Sequence, residues 1–192
     1  MIPILLCGLF ATYIIIERCV YFSSVQKRDK ELRKNLEEAL ANNEFSAAEA
    51  FCVQTGTPLA HVAKKAIDCR KLTEDDMREI VQCEIDSVAP QFDHWLTLLG
   101  TIANISTLLG LFGTVTGNIK AFGVLGAGGT MGNPAVLASS ISEALMTTAA
   151  GLFVAIPSLI FSNYLSRRAD KMVTEMEGTV TKLILRLTGR VL

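Results

Sequence analysis

Residues 135–165 combine the length of a membrane-spanning helix with one carboxylate and several hydroxyl groups. The stretch is longer than the ~20 apolar residues that a helix needs to cross a bilayer, and Glu143 is its only charged side chain. A carboxyl group at membrane depth is costly, so it predicts a functional site. At helical spacing Ser139, Glu143 and Thr147 share one face, and Thr148 lies on the adjacent strip. We expect this face to line a pore or contact a partner, and the opposite face to meet lipid.

A second apolar stretch, residues 95–122, carries a polar stripe of its own. Small residues form a neighbouring stripe, and a Gly-x-x-x-Gly spacing within it permits close helix packing. Two interpretations remain open: the stripes only pack helices together, or they line a cavity together with Glu143. The polar stripe comprises Gly100, Asn104, Thr107, Leu111, Thr114 and Asn118, and the small stripe comprises Ser106, Gly110, Gly113 and Gly117.

Composition favours a membrane protein and argues against several other classes. Half of the 192 residues are hydrophobic and the net charge is −1, so there is no basic footprint for nucleic acid. Residues 1–16 carry no charge, whereas charged residues of both signs crowd residues 23–94. The five cysteines form no C-x-x-C pair and no histidine stands at metal-ligand spacing. We therefore predict no metal, no cofactor and no enzymatic activity.

The charge distribution also predicts how the chain crosses the membrane. Basic residues after the first and third apolar stretches, such as Lys27 and Arg167, mark the cytoplasmic side. The prediction is an all-α membrane protein with three transmembrane helices, long cytoplasmic extensions and a small cytoplasmic helical segment. Its segments are transmembrane helix 1 (1–22), the cytoplasmic helical segment (23–94), transmembrane helix 2 (95–122), an external loop (123–134), transmembrane helix 3 (135–165) and a cytoplasmic helical tail (166–192).

Start signals divide residues 23–94 into four helices. The first is amphipathic and runs over 24–41. Ser46 and Glu49 form a capping box that predicts the start of the second, Thr57 before Pro58 caps the third, and Thr73 caps the fourth. We expect the fourth helix to continue past Pro90 into the membrane with a kink there.

Two motifs resemble the signature helices of the ExbB/TolQ/MotA family of ion-channel motor subunits. They are Leu-Gly-Leu-Phe-Gly-Thr-Val-Thr-Gly at 109–117 and Glu-Ala-Leu-Met-Thr-Thr-Ala-Ala-Gly-Leu-Phe-Val-Ala-Ile-Pro at 143–157. Residues 90–103 resemble the family's entry into its second span. Three spans rather than four favour the ExbB/TolQ branch. Lys120, at the end of the second span, departs from the family pattern.

The resemblance implies a proton-driven motor of the bacterial inner membrane, with the N-terminus outside and the C-terminus in the cytoplasm. It implies a homopentamer around two single-span ExbD- or TolR-like proteins, which act on a TonB- or TolA-like protein in outer-membrane transport or envelope maintenance. Thr114 and Thr148 match the family's pore threonines, and Glu143 matches its third-span glutamate, with Thr147 beside it. The partner supplies an aspartate. The alternative is a passive membrane scaffold that conducts no ion.

Overall fold

The structure, a computed structural model, describes residues 2–42, 44–127 and 134–189, with side chains of 124–127 excepted. No strand occurs in these ranges, and three segments are long and apolar enough to cross a membrane: Ile2–Ala41, Glu74–Gly123 and Pro134–Leu187. The predicted all-α fold with three membrane-length helices is confirmed. Its helices are α1 (Ile2–Ala41), α2 (Phe45–Thr55), α3 (Pro58–Asp68), α4 (Glu74–Val88), α5 (Pro90–Asp93), α6 (Leu96–Ala127) and α7 (Pro134–Leu187).

The long helices join apolar and charged sequence without interruption. Helix α1 includes both the first apolar stretch and the amphipathic segment after it. Helix α7 continues for 54 residues, and Pro157 lies inside it. Half of the predicted external connection at 123–134 lies outside the described residues, because 128–133 are not described, and its described residues belong to α6 (123–127) and α7 (134).

Helix starts in the charged segment confirm two of the three predicted caps. The Thr57 and Thr73 hydroxyl oxygens each accept a hydrogen bond at 3.3 Å, from the backbone N–H of Ala60 and Asp76 respectively. The predicted capping box of Ser46 is wrong. Helix α2 already begins at Phe45 with Glu44 as its N-cap residue, so Ser46 lies within the first turn, and Glu44 makes no side-chain cap hydrogen bond.

The passage from α4 to α6 also differs from the prediction of one kinked helix. Helix α4 ends at Val88 and Pro90 begins the short helix α5, as proline's fixed φ favours at a first helical position. The chain then breaks at Trp95, which has a φ of 68°. An L-residue in this left-handed region cannot continue an α-helix, so α6 begins anew at Leu96.

Two compact units divide the chain. The first consists of Met1–Glu17 and Trp95–Leu165, and the second of Arg18–His94 and Ser166–Leu192. The first unit exposes many large apolar side chains, as expected of a surface that meets lipid. Among them are Leu9, Phe10 and Tyr13 on α1, Leu108, Phe112 and Ile119 on α6, and Phe153, Ile156 and Ile160 on α7.

The second unit has a buried core of its own. Leu59, Val62 and Ile67 on α3 are fully buried, because α2 and α4 pack against that helix. Arg18, on α1, is 4% exposed. Its guanidinium donates to the Gln91 carbonyl at 3.3 Å and to Nδ1 of His94 at 3.1 Å.

Candidate functional site

The glycines of α6 pack directly against α7 of the same chain. A Cβ atom built on Gly113 would lie 2.4 Å from the Thr147 Cγ2, and one on Gly117 would lie 2.4 Å from the Ala144 Cβ. From the other helix, a Cβ on Gly151 would lie 2.7 Å from the Ser106 carbonyl oxygen. Only glycine allows the two backbones to approach this closely. The small stripe is therefore used within one chain, and it provides no argument for contacts between copies.

Thr148 connects the two helices at Gly110, the fourth member of this close contact. Its hydroxyl donates to the Gly110 carbonyl at 2.7 Å, across a contact where a Gly110 Cβ would be 3.3 Å from the Thr148 backbone. In an α-helix the same carbonyl also accepts the backbone N–H of Thr114, four residues later. The Thr114 hydroxyl donates to the Leu111 carbonyl at 2.6 Å. The hydroxyls of the two predicted pathway threonines thus donate to consecutive carbonyls of α6.

Glu143 and Thr147 lie on the other flank of the α6–α7 contact. Five residues of α-helix separate Glu143 from Thr148, which is a rotation of about 140°. Glu143 and Thr147 line a cleft of about 290 Å³ to which α1 contributes Pro3 and Ile4. The described part of the chain therefore places the four predicted pathway residues on two flanks, with Thr114 and Thr148 outside this cleft. The remaining lining residues are Leu109, Phe112, Gly113, Thr116, Gly117, Lys120 and Ala144.

Sequence reasoning missed Lys120 and Thr116 as members of the Glu143 cleft. Both were visible in the sequence, and Lys120 stood out as a cation at the end of an apolar stretch. The spacing of 113, 116, 117 and 120 places them on one helical face. Nothing in the sequence, however, indicated which face of α6 meets Glu143. Among residues 2–42, 44–127 and 134–189 there is no group of three His, Cys, Asp or Glu able to hold a metal ion.

These features define a class: a membrane protein whose spanning helices carry a carboxylate and interhelical hydroxyls, with no metal centre among the described residues. The sequence model of the MotA/TolQ/ExbB proton channel family matches residues 54–178, about two thirds of the chain. The chain belongs to this family, as its two signature helices predicted.

Two of three similar proteins match this chain over more than 90% of its length, and the third matches it over less than half. A protein named as the biopolymer transport protein ExbB-like 3 of Synechocystis is 30% identical over 183 residues, covering 93% of this chain and 87% of that protein. The biopolymer transport protein ExbB of Neisseria meningitidis is 28% identical over 97% of this chain and 89% of its own. The Tol-Pal system protein TolQ of Haemophilus influenzae is 40% identical over 45% of this chain and 36% of its own.

Proposed function

We propose that the chain is the ring-forming subunit of a proton-driven motor in the bacterial inner membrane. Residues 1–22, 95–122 and 135–165 cross the bilayer, with the N-terminus outside and the C-terminus in the cytoplasm. Five copies surround the single-span helices of an ExbD- or TolR-like dimer, and proton flow between ring and dimer moves the dimer. That movement serves energised transport or envelope maintenance; the relatives are named as a biopolymer transport protein and a Tol-Pal system protein. The chain itself catalyses no covalent reaction.

The supporting observation is that the Thr148 and Thr114 hydroxyls donate to consecutive carbonyls of α6, those of Gly110 and Leu111. Each hydroxyl donates its only proton to a backbone carbonyl, so its lone pairs remain available to accept one. To relay a proton, each hydroxyl must turn its own proton from the carbonyl to a neighbouring water while it accepts a proton from another, so that the hydroxyl itself ends uncharged. Water between these hydroxyls and the partner's aspartate would complete the path. Each proton that crosses the membrane releases about 2.3 kcal/mol per 100 mV of membrane potential. Several protons together can therefore drive mechanical work on the partner.

Removing the hydroxyls without changing side-chain shape tests this proposal. Thr148→Val and Thr114→Val should abolish proton uptake by vesicles that contain the chain with its partner, while the complex still purifies intact. Thr148→Ser should retain uptake because it keeps the hydroxyl. Thr181→Val is the matched control, since Thr181 lies on the same helix as Thr148 and its hydroxyl donates only within α7, to the Glu177 carbonyl at 2.8 Å.

If both valine variants support full uptake, the hydroxyl path is wrong and the passive scaffold is favoured. If all variants and the unaltered chain fail to move protons, while the complex assembles, the scaffold is again favoured.

Orientation in the membrane has a separate test. In a variant without native cysteines, an impermeant thiol reagent added from outside should label a cysteine at position 128 and leave those at 27 and 167 unlabelled. The basic clusters around Lys27 and Arg167 are the basis for this expectation, and Gly128 lies outside the described residues. Labelling of position 27 from outside would contradict the proposed topology.

A further inference from the structure

The cleft beside Glu143 holds one negative and one positive side chain. Lys120 and Glu143 both line it, and the hydroxyls of Thr116 and Thr147 lie between the same helices. Among its described lining residues there is no further charged group. The formal charge of the lining is therefore zero when both groups are ionised.

The hydrogen-bonding groups of the cleft suit a tethered ammonium. A lysine ammonium has three donors and no acceptor. The Thr147 hydroxyl donates its proton to the Glu143 carbonyl at 2.9 Å, and that of Thr116 donates to the Phe112 and Gly113 carbonyls, each at 3.0 Å. Both hydroxyl oxygens and the Glu143 carboxylate are then left as acceptors. Three kinds of acceptor face the three donors of Lys120.

Lys120 lies about one turn of α6 beyond the contact between Gly117 and Ala144. Gly117 contacts Ala144, the residue after Glu143, and Lys120 lies three residues, about 4.5 Å of helix, beyond Gly117. A lysine stem spans roughly 6 Å from Cα to its ammonium. The two groups form no ion pair in the part of the chain that the structure describes, so their side chains must move for them to pair.

We propose that Lys120 is the tethered counter-ion of Glu143 and that it occupies the place an alkali cation would take, so that the cleft binds no Na⁺. A Na⁺ site needs several oxygen ligands and a net negative charge. The Lys120 ammonium would occupy those oxygens as hydrogen-bond acceptors and neutralise the charge of Glu143. Lys120 is thus a specificity residue that reserves the motor for protons, and Glu143 holds position through it. The selectivity rests on the proposed function, whereas the ion pair does not.

A double-mutant cycle on the chain alone tests the pair. The variants Lys120→Gln, Glu143→Gln and the double variant are purified at full length in lipid nanodiscs, and their thermal unfolding midpoints are compared. Each single variant leaves one charge in the cleft uncompensated and should lower the midpoint. The double variant should lose no more than the larger single loss. Lys182→Gln, at an exposed lysine of α7, should add its shift independently to that of Glu143→Gln.

Additive losses for positions 120 and 143 would overturn the pair. Where a single variant fails to fold, the exchanged variant Lys120→Glu with Glu143→Lys decides the question. It should fold with a midpoint near that of the unaltered chain, and its failure to fold would overturn the proposal.

Ion flux through the reconstituted complex with the single-span partner tests the selectivity. Replacing Na⁺ by choline should change proton uptake by less than about twofold, and radioactive Na⁺ should not enter. Lys120→Gln should admit Na⁺ at least about tenfold faster, since a fixed positive charge a few ångströms away has been removed. Equal Na⁺ entry in both proteins would overturn the selectivity. A complex that moves neither ion would count against the proposed function instead, and the cycle would still report on the pair.

Discussion

Substituting Gly151 by alanine should destabilise the protein by forcing α6 and α7 apart. A Cβ atom at this position would lie 2.7 Å from the Ser106 carbonyl oxygen and 2.9 Å from the Gly110 Cα. Both neighbours are backbone atoms, so no rotamer change can make room. The helices must separate by a fraction of an ångström or more, and the 2.7 Å hydrogen bond from Thr148 to Gly110 lengthens with them.

Gly178 provides the reference, because it lies on the same helix and a Cβ there would meet nothing within 4 Å. Alanine is better than glycine in a helix by about 1 kcal/mol, and both substitutions receive that gain. Overpacking typically costs about 1–3 kcal/mol. An interhelical hydrogen bond in a membrane averages about 0.6 kcal/mol. Gly151→Ala should therefore be about 2–4 kcal/mol less stable than Gly178→Ala.

Unfolding of the purified full-length variants in mixed micelles, followed by circular dichroism, measures this difference. Gly178→Ala should be as stable as the unaltered chain or more so, and Gly151→Ala should be less stable than both. Equal stability of the two alanine variants would refute the close contact between α6 and α7.

Three further predictions concern the second unit. Burial raises the pKa of Asp29 above its ordinary 3.8, although a hydrogen bond with Thr57 and the nearby Arg33 charge both lower it. Because the folded state then binds the proton more tightly than the unfolded state, the contribution of Asp29 to stability should fall as pH rises above 3.8. Denaturation measured across pH should show no such fall for Asp29→Asn. Burial also raises the pKa of the Cys52 thiol to about 11, so a maleimide should label exposed Cys83 at neutral pH and reach Cys52 only after denaturation, as mass spectrometry of peptides can check. Thr57→Ala should cost about 1 kcal/mol in thermal unfolding as α3 loses its cap, and a variant as stable as the parent would contradict that capping role.

The helices and their caps were largely predictable, because the signals for them are local. Thr57 and Thr73 each precede a helix by one position and fix its start through their own hydroxyls. Ser46 failed for an equally local reason. The chain enters α2 two residues earlier than the capping box requires, at Phe45, so that Ser46 falls inside the first turn.

The arrangement of the site was less predictable, since it depends on which helix covers which face. The spacing of Gly113 and Gly117 predicts a close approach, yet the same pattern fits a neighbouring copy or a helix of the same chain. Only the tertiary structure shows that Thr147 and Ala144 of α7 pack against these two glycines. For the same reason the sequence could list Lys120 and Glu143 but could not place them in one cleft. The break before α6 was unpredictable as well, because no residue propensity predicts a tryptophan with a left-handed backbone conformation at position 95.

Most threonine hydroxyls in the spanning helices return to their own backbone. Those of Thr107, Thr116 and Thr147 each donate to a carbonyl four residues earlier, at 2.9 to 3.1 Å. A hydroxyl satisfied in this way costs little to place in hydrocarbon, where an unsatisfied group would cost several kcal/mol. The hydroxyls of these three threonines therefore need no second molecule as a hydrogen-bond partner when a newly made chain enters the bilayer.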